Sequence, residues 1–584
     1  MLMSFLFLVV VVFAAVTQSQ NTLCQADCAQ RCGNNAQCLS ACTGTQVNFT
    51  LSNSGMGNPL AIRFGRFSND NPQLPQRMFV ANQDGRLQYS DQSDLKNGPM
   101  TTMIDFSSRI STTVNRFAGY VEAGFVGMTL HPRFTTNGRF YVWYSIPRPD
   151  GNNASNTPNC SFTGGYGAAG PSNNRRNFGV DRPYVANVYA DMLVLEEYQQ
   201  LLSTAVAPLF LRRMLTLKHF FTNHYGINNL MFEENGKLLV ALADGGCFFD
   251  QYATAQNRSF MVGKVVSVDV DANVLYAPPV NCSTPVALWG ELQSACPVAY
   301  KIFTLYASGV RNFGHMSLDV HEGKINRYIT MVGQNRAEAI YRFQWESNFG
   351  WYRRESRLCG CLYDDPLTDP QCDFRQTLAQ CLNETSITGA YTYPLATLNQ
   401  ANDHVSSNAG GFVYRGSELP CALRGAYIWG DWSTKDVFTP GFPAPFNGTL
   451  QLFMLTPDDN GHNNDNVRQE NSHGRVTVGG GLQRTVNYLG TWGYDAETNR
   501  MYMGVQDIIP PYVANVTSTR GQIYVLTAPL PYRAPAPGEC AEIENTVNSL
   551  QNLYWLLLAL TLIGLLLLVA LLILASRRRG FWRR

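Results

Sequence analysis

Long amphipathic helices are missing from most of this chain. Between Phe64 and Thr527 no stretch repeats apolar residues at helical spacing over any length. Short runs rich in Val, Phe, Tyr and Ile stand there instead, broken by Asn-Gly, Asp-Gly and Pro. That is the punctuation of an all-β fold. Net charge is equally scarce, with 44 Lys and Arg against 43 Asp and Glu. So neutral a chain lacks the basic face that a nucleic-acid partner demands.

Charge is also missing from one long apolar run near each end. "MLMSFLFLVVVVFAAVTQSQ" has no early basic residue and is apolar only through Val16. The run is short for a membrane span and reads as a secretory signal peptide, with an uncleaved anchor as the alternative. Leu553–Ala575, "LYWLLLALTLIGLLLLVALLILA", is uncharged. It is long enough to cross the roughly 30 Å hydrocarbon layer. "SRRRGFWRR" follows, and its five arginines hold that flank in the cytosol. Tyr554 and Trp555 suit the opposite interface. A lipid-anchor signal would not close on arginines. A single-pass type I protein of the plasma membrane or another secretory-pathway membrane is expected, with its bulk extracellular or lumenal.

The cysteines and sequons fit that side of the membrane. There are fifteen cysteines, and an oxidising lumen pairs most of them. Eight N-x-S/T sequons, at Asn48, Asn153, Asn159, Asn257, Asn281, Asn383, Asn447 and Asn515, suit a glycoprotein. "CQADCAQRCGNNAQCLSAC" carries Cys24, Cys28, Cys38 and Cys42 as two CxxxC pairs. Residues i and i+4 share one helical face, so two short helices could be joined by Cys24–Cys42 and Cys28–Cys38. So small a unit needs such staples, and Cys32 is left over. A metal site is the competing reading, but no histidine lies in the segment.

Six stretches repeat one pattern of apolar run, tight turn and alternating run. They are "MFVANQDGRLQYS", "MTLHPRFTTNGRFYVWYS", "LMFEENGKLLVAL", "MSLDVHEGKINRYITMV", "FVYRGSELPCALRGAYIWGD" and "TWGYDAETNRMYMGV". Asn-Gly and Asp-Gly supply the positive φ angles of hairpin turns. One hairpin per blade predicts a six-bladed β-propeller, with a two-sheet sandwich as the alternative. The expected order is signal peptide 1–19, cysteine-rich helical hairpin 20–45, propeller 60–530, juxtamembrane linker 531–552, transmembrane helix 553–575 and basic cytoplasmic tail 576–584. The loop "PDDNGHNNDNVRQENSHG" lacks the ligand spacing of a calcium loop and reads as solvated.

Several of these stretches resemble the glucose/sorbosone dehydrogenase family. "EAGFVGMTLHPRFTTNGRFYVWYS" is similar to its E-x-G-L-L-G-x-A-F-H-P-x-F-x-x-N-G signature, and "ASGVRNFGHMSLD" to G-x-R-N-P-x-G. "MVGQNRAEAIYRFQWESNFGWYRRES" resembles V-G-Q-N-x-x-E-E-I…N-Y-G-W. "HVSSNAGGFVYRGSELPCALRGAYIWGDWSTKDVF" resembles the fifth-blade pattern G-G-Y-V-Y-R-G…G-D. The resemblance implies a six-bladed propeller whose enzyme members oxidise aldose sugars with pyrroloquinoline quinone (PQQ) and calcium. It places His224 as the catalytic base, and Arg311, Asn312 and Lys435 around the cofactor. It gives calcium to backbone carbonyls of Gly333 and Gln334. The cysteine-bearing stretches look most like the hedgehog-interacting-protein-like branch, which implies a non-catalytic surface module for a protein or glycan ligand.

The chain also departs from the family pattern. After His224 it reads Tyr-Gly-Ile-Asn-Asn-Leu, one residue longer than H-x-G-G-R-L, with Ile227 where a glycine usually stands. Only Arg484 stands near the family's Arg-x-Arg pair. His131 reads as a turn or packing residue, His315 and His404 as satisfied structural histidines, and Asp244 and Asp431 as acceptors of blade-turn amides. Arg311 reads alternatively as a buried arginine paired with a carboxylate such as Glu338. For the topology, an antibody to the C-terminus should stain cells only after permeabilisation, and endoglycosidase should lower the apparent mass. Staining of intact cells would refute the orientation.

Overall fold

The computed structural model describes residues 28, 45–91, 100–111, 122–149, 187–203, 206–247, 250, 252–272, 282–334, 337–356, 358–359, 391–399, 407–431, 452–455, 474–478, 488–506 and 521–529. Their strands form six four-stranded antiparallel blades. Blade 1 is β2 (Pro59–Gly65), β3 (Arg77–Asn82), β4 (Arg86–Ser90) and β5 (Met100–Asp105). Blade 2 is β6 (Phe125–Leu130), β7 (Arg139–Ile146), β8 (Asp191–Gln199) and β9 (Leu209–His219). Blade 3 is β10 (Leu230–Phe232), β11 (Leu238–Leu242), β12 (Lys264–Val268) and β13 (Phe303–Ser308). Blade 4 is β14 (Asn312–His321), β15 (Lys324–Val332), β16 (Ala337–Phe343) and β19 (Ala396–Asn399), with the small ribbon β17 (Arg354–Glu355) and β18 (Leu358–Cys359) in its last connection. Blade 5 is β20 (Asn408–Val413), β21 (Tyr427–Asp431), β22 (Leu452–Leu455) and β23 (Gly474–Val478).

Blade 6 draws on both ends of the propeller sequence. Its first three strands are β24 (Tyr488–Asp495), β25 (Arg500–Gln506) and β26 (Gly521–Thr527). Its outer strand is β1 (Gln46–Met56), paired antiparallel with β26 from Asn48↔Thr527 to Met56↔Gly521. The start of β1 also pairs in parallel with β23, at Gln46↔Thr477 and Val47↔Val478. The first strand of every blade contacts the first strand on either side, and β24 meets β2, so the ring closes. First strands crowd around the axis, and Gly127 shows how tightly: a Cβ there would lie 2.2 Å from Asn229 Oδ1.

Five of the six sequence hairpins are the first two strands of a blade. The exception is "MFVANQDGRLQYS", which forms β3 and β4, the middle pair of blade 1. The true first turn of that blade is the longer Arg66–Gln76 stretch, which lacks a two-residue turn signal. Aromatic rings fill the space between blades. Phe67 and Phe79 pack on Phe134 with both centroids at 5.5 Å, and Tyr328 meets Tyr427 at 4.9 Å. Such pairs contribute about 0.5–1.5 kcal/mol each beyond their buried area.

Short helices appear where the sequence reading expects none: α1 (Phe134–Asn137), α2 (Trp289–Ala295) and α3 (Pro297–Tyr300). α2 and α3 belong to a stapled excursion closed by a Cys282–Cys296 disulfide. Its first residues pair with the outer strand of blade 2, through Cys282 N–H to Arg213 O and Val286 N–H to Thr216 O. The excursion thus covers part of an otherwise open sheet edge.

Of the cysteine-rich segment only Cys28 is described. It is disulfide-bonded, as is Cys421, and the two sulfurs lie 3.4 Å apart. Cys24, Cys38, Cys42 and the 553–575 run lie outside the described residues, and among those described no helix is long and apolar enough to cross a membrane. Asn48 is half-buried within β1, Asn257 is exposed, and the other six sequons lie outside the described residues. Closing a 14-residue loop restricts the unfolded chain by about 3 kcal/mol. The double variant Cys282→Ser/Cys296→Ser should lose stability of that order in urea titration. An unchanged midpoint would show that the staple does not stabilise the fold.

Candidate functional site

The loops leading into first strands and the loops between second and third strands share one end of the ring. His224 and Arg311 lie on loops of the first kind, ahead of β10 and β14. Asp244, Gly333 and Gln334 lie on loops of the second kind, after β11 and β15. Blade topology therefore gathers residues from distant parts of the sequence around one mouth.

His224 is 6% exposed and held at both ends of its structure. Its backbone N–H donates to Glu122 Oε2 at 2.7 Å. Its Nδ1 lies 2.8 Å from Asp244 Oδ1. Asp244 also accepts from Gly246 N–H at 3.0 Å and from the indole Nε1 of Trp351 at 2.8 Å. A carboxylate only accepts, so the proton of the neutral imidazole sits on Nδ1 and the Nε2 lone pair is left to take a proton. Among the described residues the imidazole is engaged through Nδ1. His224 adopts φ 63°, a left-handed backbone of the kind that clusters at functional sites and costs about 1–3 kcal/mol. Gly226, at φ 71°, has no such freedom to vary: a Cβ would meet the Phe313 ring at 2.4 Å.

Arg311 sits on the other side of Asp244. Asp244 N–H donates to Arg311 O at 2.8 Å. The guanidinium donates to Val332 O at 3.0 Å and to Gln334 Oε1 at 3.1 Å, and lies 5.2 Å from the centre of the Trp351 ring. Among the described residues it forms no ion pair, and Glu338 attracts it only at longer range. Glu338 instead accepts from the Gly333 and Asn408 amides at 3.1 and 2.8 Å. Burial pulls the Arg311 guanidinium below its usual range, against the pull of Asp244, Glu355, Glu338 and Glu122. Arg311 Nε and Asn312 Oδ1 are buried with no protein partner.

Gln334 thus spends its side chain on Arg311, while its N–H donates to Glu355 Oε1 at 2.8 Å. Among the described residues no cluster of three acidic, histidine or cysteine side chains could hold a metal ion. Lys435, Arg484 and His404 lie outside the described residues. His131 accepts the Arg133 N–H at 3.0 Å, a turn role. Asp431 likewise accepts the Ser407 N–H at 2.9 Å. His315 is buried, but neither ring nitrogen has a protein partner, so it is a packing histidine that is not satisfied. Sequence reasoning missed Glu122 and Trp351, and gave Asp244 only its turn role. Glu122 and Trp351 act across a blade boundary, and Asp244 reaches His224 from another loop of the same blade, where chain spacing carries no signal.

Below the mouth, Asn228 ties four blades together. Its N–H donates to Val126 O at 2.8 Å, its Nδ2 to Thr491 Oγ1 at 3.3 Å, and its Oδ1 accepts from Arg63 Nη2 at 2.5 Å. Alongside, His219 Nε2 lies 2.9 Å from Asn223 O, and its ring rests on Tyr225 at 4.1 Å.

No family model matches the chain. It is similar to the HIPL2 protein of Arabidopsis thaliana, 24% identical over 412 residues, which are 66% of this chain and 54% of that protein. It is also similar to the HIPL1 protein of the same plant, 24% identical over 388 residues, or 64% and 52%. The chain spans about half the length of these curated relatives. Similar solved structures include the PQQ-bound aldose sugar dehydrogenase of Streptomyces coelicolor, at 12% identity, TM-score 0.44 and coverage of 82% and 96%. Another is the apo-form soluble aldose sugar dehydrogenase of Escherichia coli, at 14%, 0.47, and 83% and 100%.

Burial holds His219 down to about 4 against a usual value of 6.5. The unfolded chain therefore takes up the proton first as pH falls, and stability is lost progressively below about pH 6.5. Urea titration should find the wild type weaker at pH 5 than at pH 7 by about 2 kcal/mol from this residue. His219→Gln should show a smaller drop, and an equal drop would clear His219 of the effect.

Proposed function

We propose that this propeller oxidises a hydroxyl of an aldose-type sugar, with His224 as the base and PQQ as the hydride acceptor, on the non-cytosolic side of a membrane. The observation that carries the reading is the Asp244–His224 hydrogen bond. Asp244, itself fixed by Gly246 and Trp351, orients the imidazole and turns the Nε2 lone pair away from the carboxylate. A base so placed can accept the hydroxyl proton of a substrate as its C–H bond gives up a hydride. The guanidinium suits a polycarboxylate cofactor: among the described residues Arg311 forms no ion pair, and its Nε donor is unused, while the unused Asn312 Oδ1 could accept an N–H of the cofactor. When bound, PQQ supplies the hydride acceptor, and calcium on the Gly333 and Gln334 carbonyls would polarise it. Arg311 and Asn312 would orient the cofactor, while Trp351 keeps water from the Asp244 carboxylate. Lys435 joins them on the resemblance alone.

A second reading has its own support. His224 and Arg311 are only 6% and 5% exposed, and so covered a mouth suits a non-catalytic surface module for a protein or glycan ligand. Titration of the full chain with PQQ and calcium, followed by quinone absorbance and aldose oxidation, separates the two. His224→Ala should retain uptake and cut turnover by about 10²–10⁴-fold. Arg311→Ala should weaken uptake by leaving cofactor charge unpaired. Absence of uptake, with wild type and variants alike, sinks the enzyme and leaves the binding module.

A further inference from the structure

The end of the ring opposite the site carries exposed apolar side chains. First and third strands run away from the mouth, so the turns after them lie at the far end. The turn between β8 and β9 is such a turn; it exposes Leu201, Leu202 and Val206, and the start of β9 exposes Leu209 and Phe210, with Val206 at 72%. Leu74, on the β2–β3 turn of the neighbouring blade, is exposed too. The two turns are joined: Ser68 N–H donates to Leu201 O at 3.0 Å, and Asn69 Oδ1 accepts the Ser203 N–H at 3.0 Å. On blade 4, Val320 and Ile325 face each other across the β14–β15 turn, also exposed and also at this end. Among the described residues, the two other exposed large hydrophobics, Trp345 and Tyr393, lie on the β16–β19 connection, which follows a third strand. The loop carrying His224 contributes none. Scattered exposed hydrophobics are ordinary, but a set concentrated at one end marks an interaction face.

The path of the chain names the partner. β26 is a third strand, so it ends at Thr527 on this same far end. From there about 25 residues lead to the uncharged run Leu553–Ala575. A linker of that length could reach around the molecule, at up to roughly 3.3–3.6 Å per residue, so it does not fix the orientation by itself. The apolar turns do, because they lie at the end where the chain leaves for its apolar segment.

We propose that this end rests on a phospholipid bilayer, with the β8–β9 turn seated among the headgroups and upper acyl chains and the His224 mouth facing away. The proposal rests on the reading that Leu553–Ala575 spans the membrane. It gives the exposed leucines and Phe210 an apolar contact without a protein partner. It also leaves the mouth open to ligands from the bulk phase.

The full chain, reconstituted in phosphatidylcholine vesicles whose acyl chains carry a photoactivatable diazirine, tests it by mapping lipid adducts. Adducts are expected on peptides covering 201–210 as well as 553–575. The double variant Val206→Glu/Leu209→Glu alters only exposed side chains and should lose the first set while keeping the second. Wild-type adducts confined to 553–575 would overturn the resting face and leave the anchor standing. Adducts on the Asn223–Tyr225 peptide instead would reverse the orientation and overturn it too. A chain without adducts has no anchor, and the inference falls with that reading.

Discussion

The pairing of β1 with β26 is the contact on which the rest of the architecture depends. Each other blade is a local meander, built from strands that follow one another in sequence. Blade 6 alone takes its fourth strand from the opposite end of the propeller sequence, Asn48 opposite Thr527. Without that ladder the inner strands have no reason to hold a circle, since β24 reaches β2 only when the ring is shut. The mouth has no existence in an open arc. Glu122 precedes blade 2, His224 and Asp244 belong to blade 3, and Arg311 to blade 4. Closure thus spends the loop entropy of the whole chain once, and the geometry of the site comes with it.

Behind the mouth the protein tolerates buried charge for the sake of rigidity. Asp244 O accepts from Thr254 Oγ1 at 3.0 Å, and the Thr254 N–H donates to Asp250 Oδ1 at 2.8 Å. Burial and the nearby Asp244 push the Asp250 carboxyl up to about 7. Burial pulls the Lys264 ammonium down to about 7, against the attraction of Asp250. Lys264 donates to the carbonyls of Ala255 and Val262 at 3.1 and 3.0 Å. Such groups add little net stability once desolvation is counted. They do fix the loop that carries Asp244, and through it the ring of His224.

What the sequence made legible, and what it hid, divides along the same line. Period-two runs with Asn-Gly and Asp-Gly turns are local signals, so the hairpins and the count of blades could be read from them. β1 could not, because nothing in "QVNFTLSNSGM" says that its partner lies at the far end of the propeller. Cys282–Cys296 stayed hidden for a related reason: fifteen cysteines allow too many pairings to choose among. His224 and Arg311 were found through family resemblance, which records positions. Trp351 and the Asp244–His224 bond needed the fold, because the first reaches Asp244 across a blade boundary and the second joins two loops twenty residues apart.

The longer loop after His224 shows how the departures from the family pattern are used. Ile227 occupies a place where a glycine is usual, and an extra residue beside a cofactor wall invites the reading that it blocks the mouth. The loop also uses its length for packing. Gly226 makes the close approach, against Phe313, and Ile227 donates its N–H to Phe313 O at 3.2 Å. Asn228 then turns through a left-handed φ of 52° and reaches the axis, where it bonds blades 1, 2 and 6. A short loop could present a histidine, but it could not also bridge the axis. By tying Asn228 to Val126, Arg63 and Thr491, the loop sets the position of His224 from the far side of the ring. The imidazole is held from two directions, by Asp244 at its ring and by the axial bridge through its backbone.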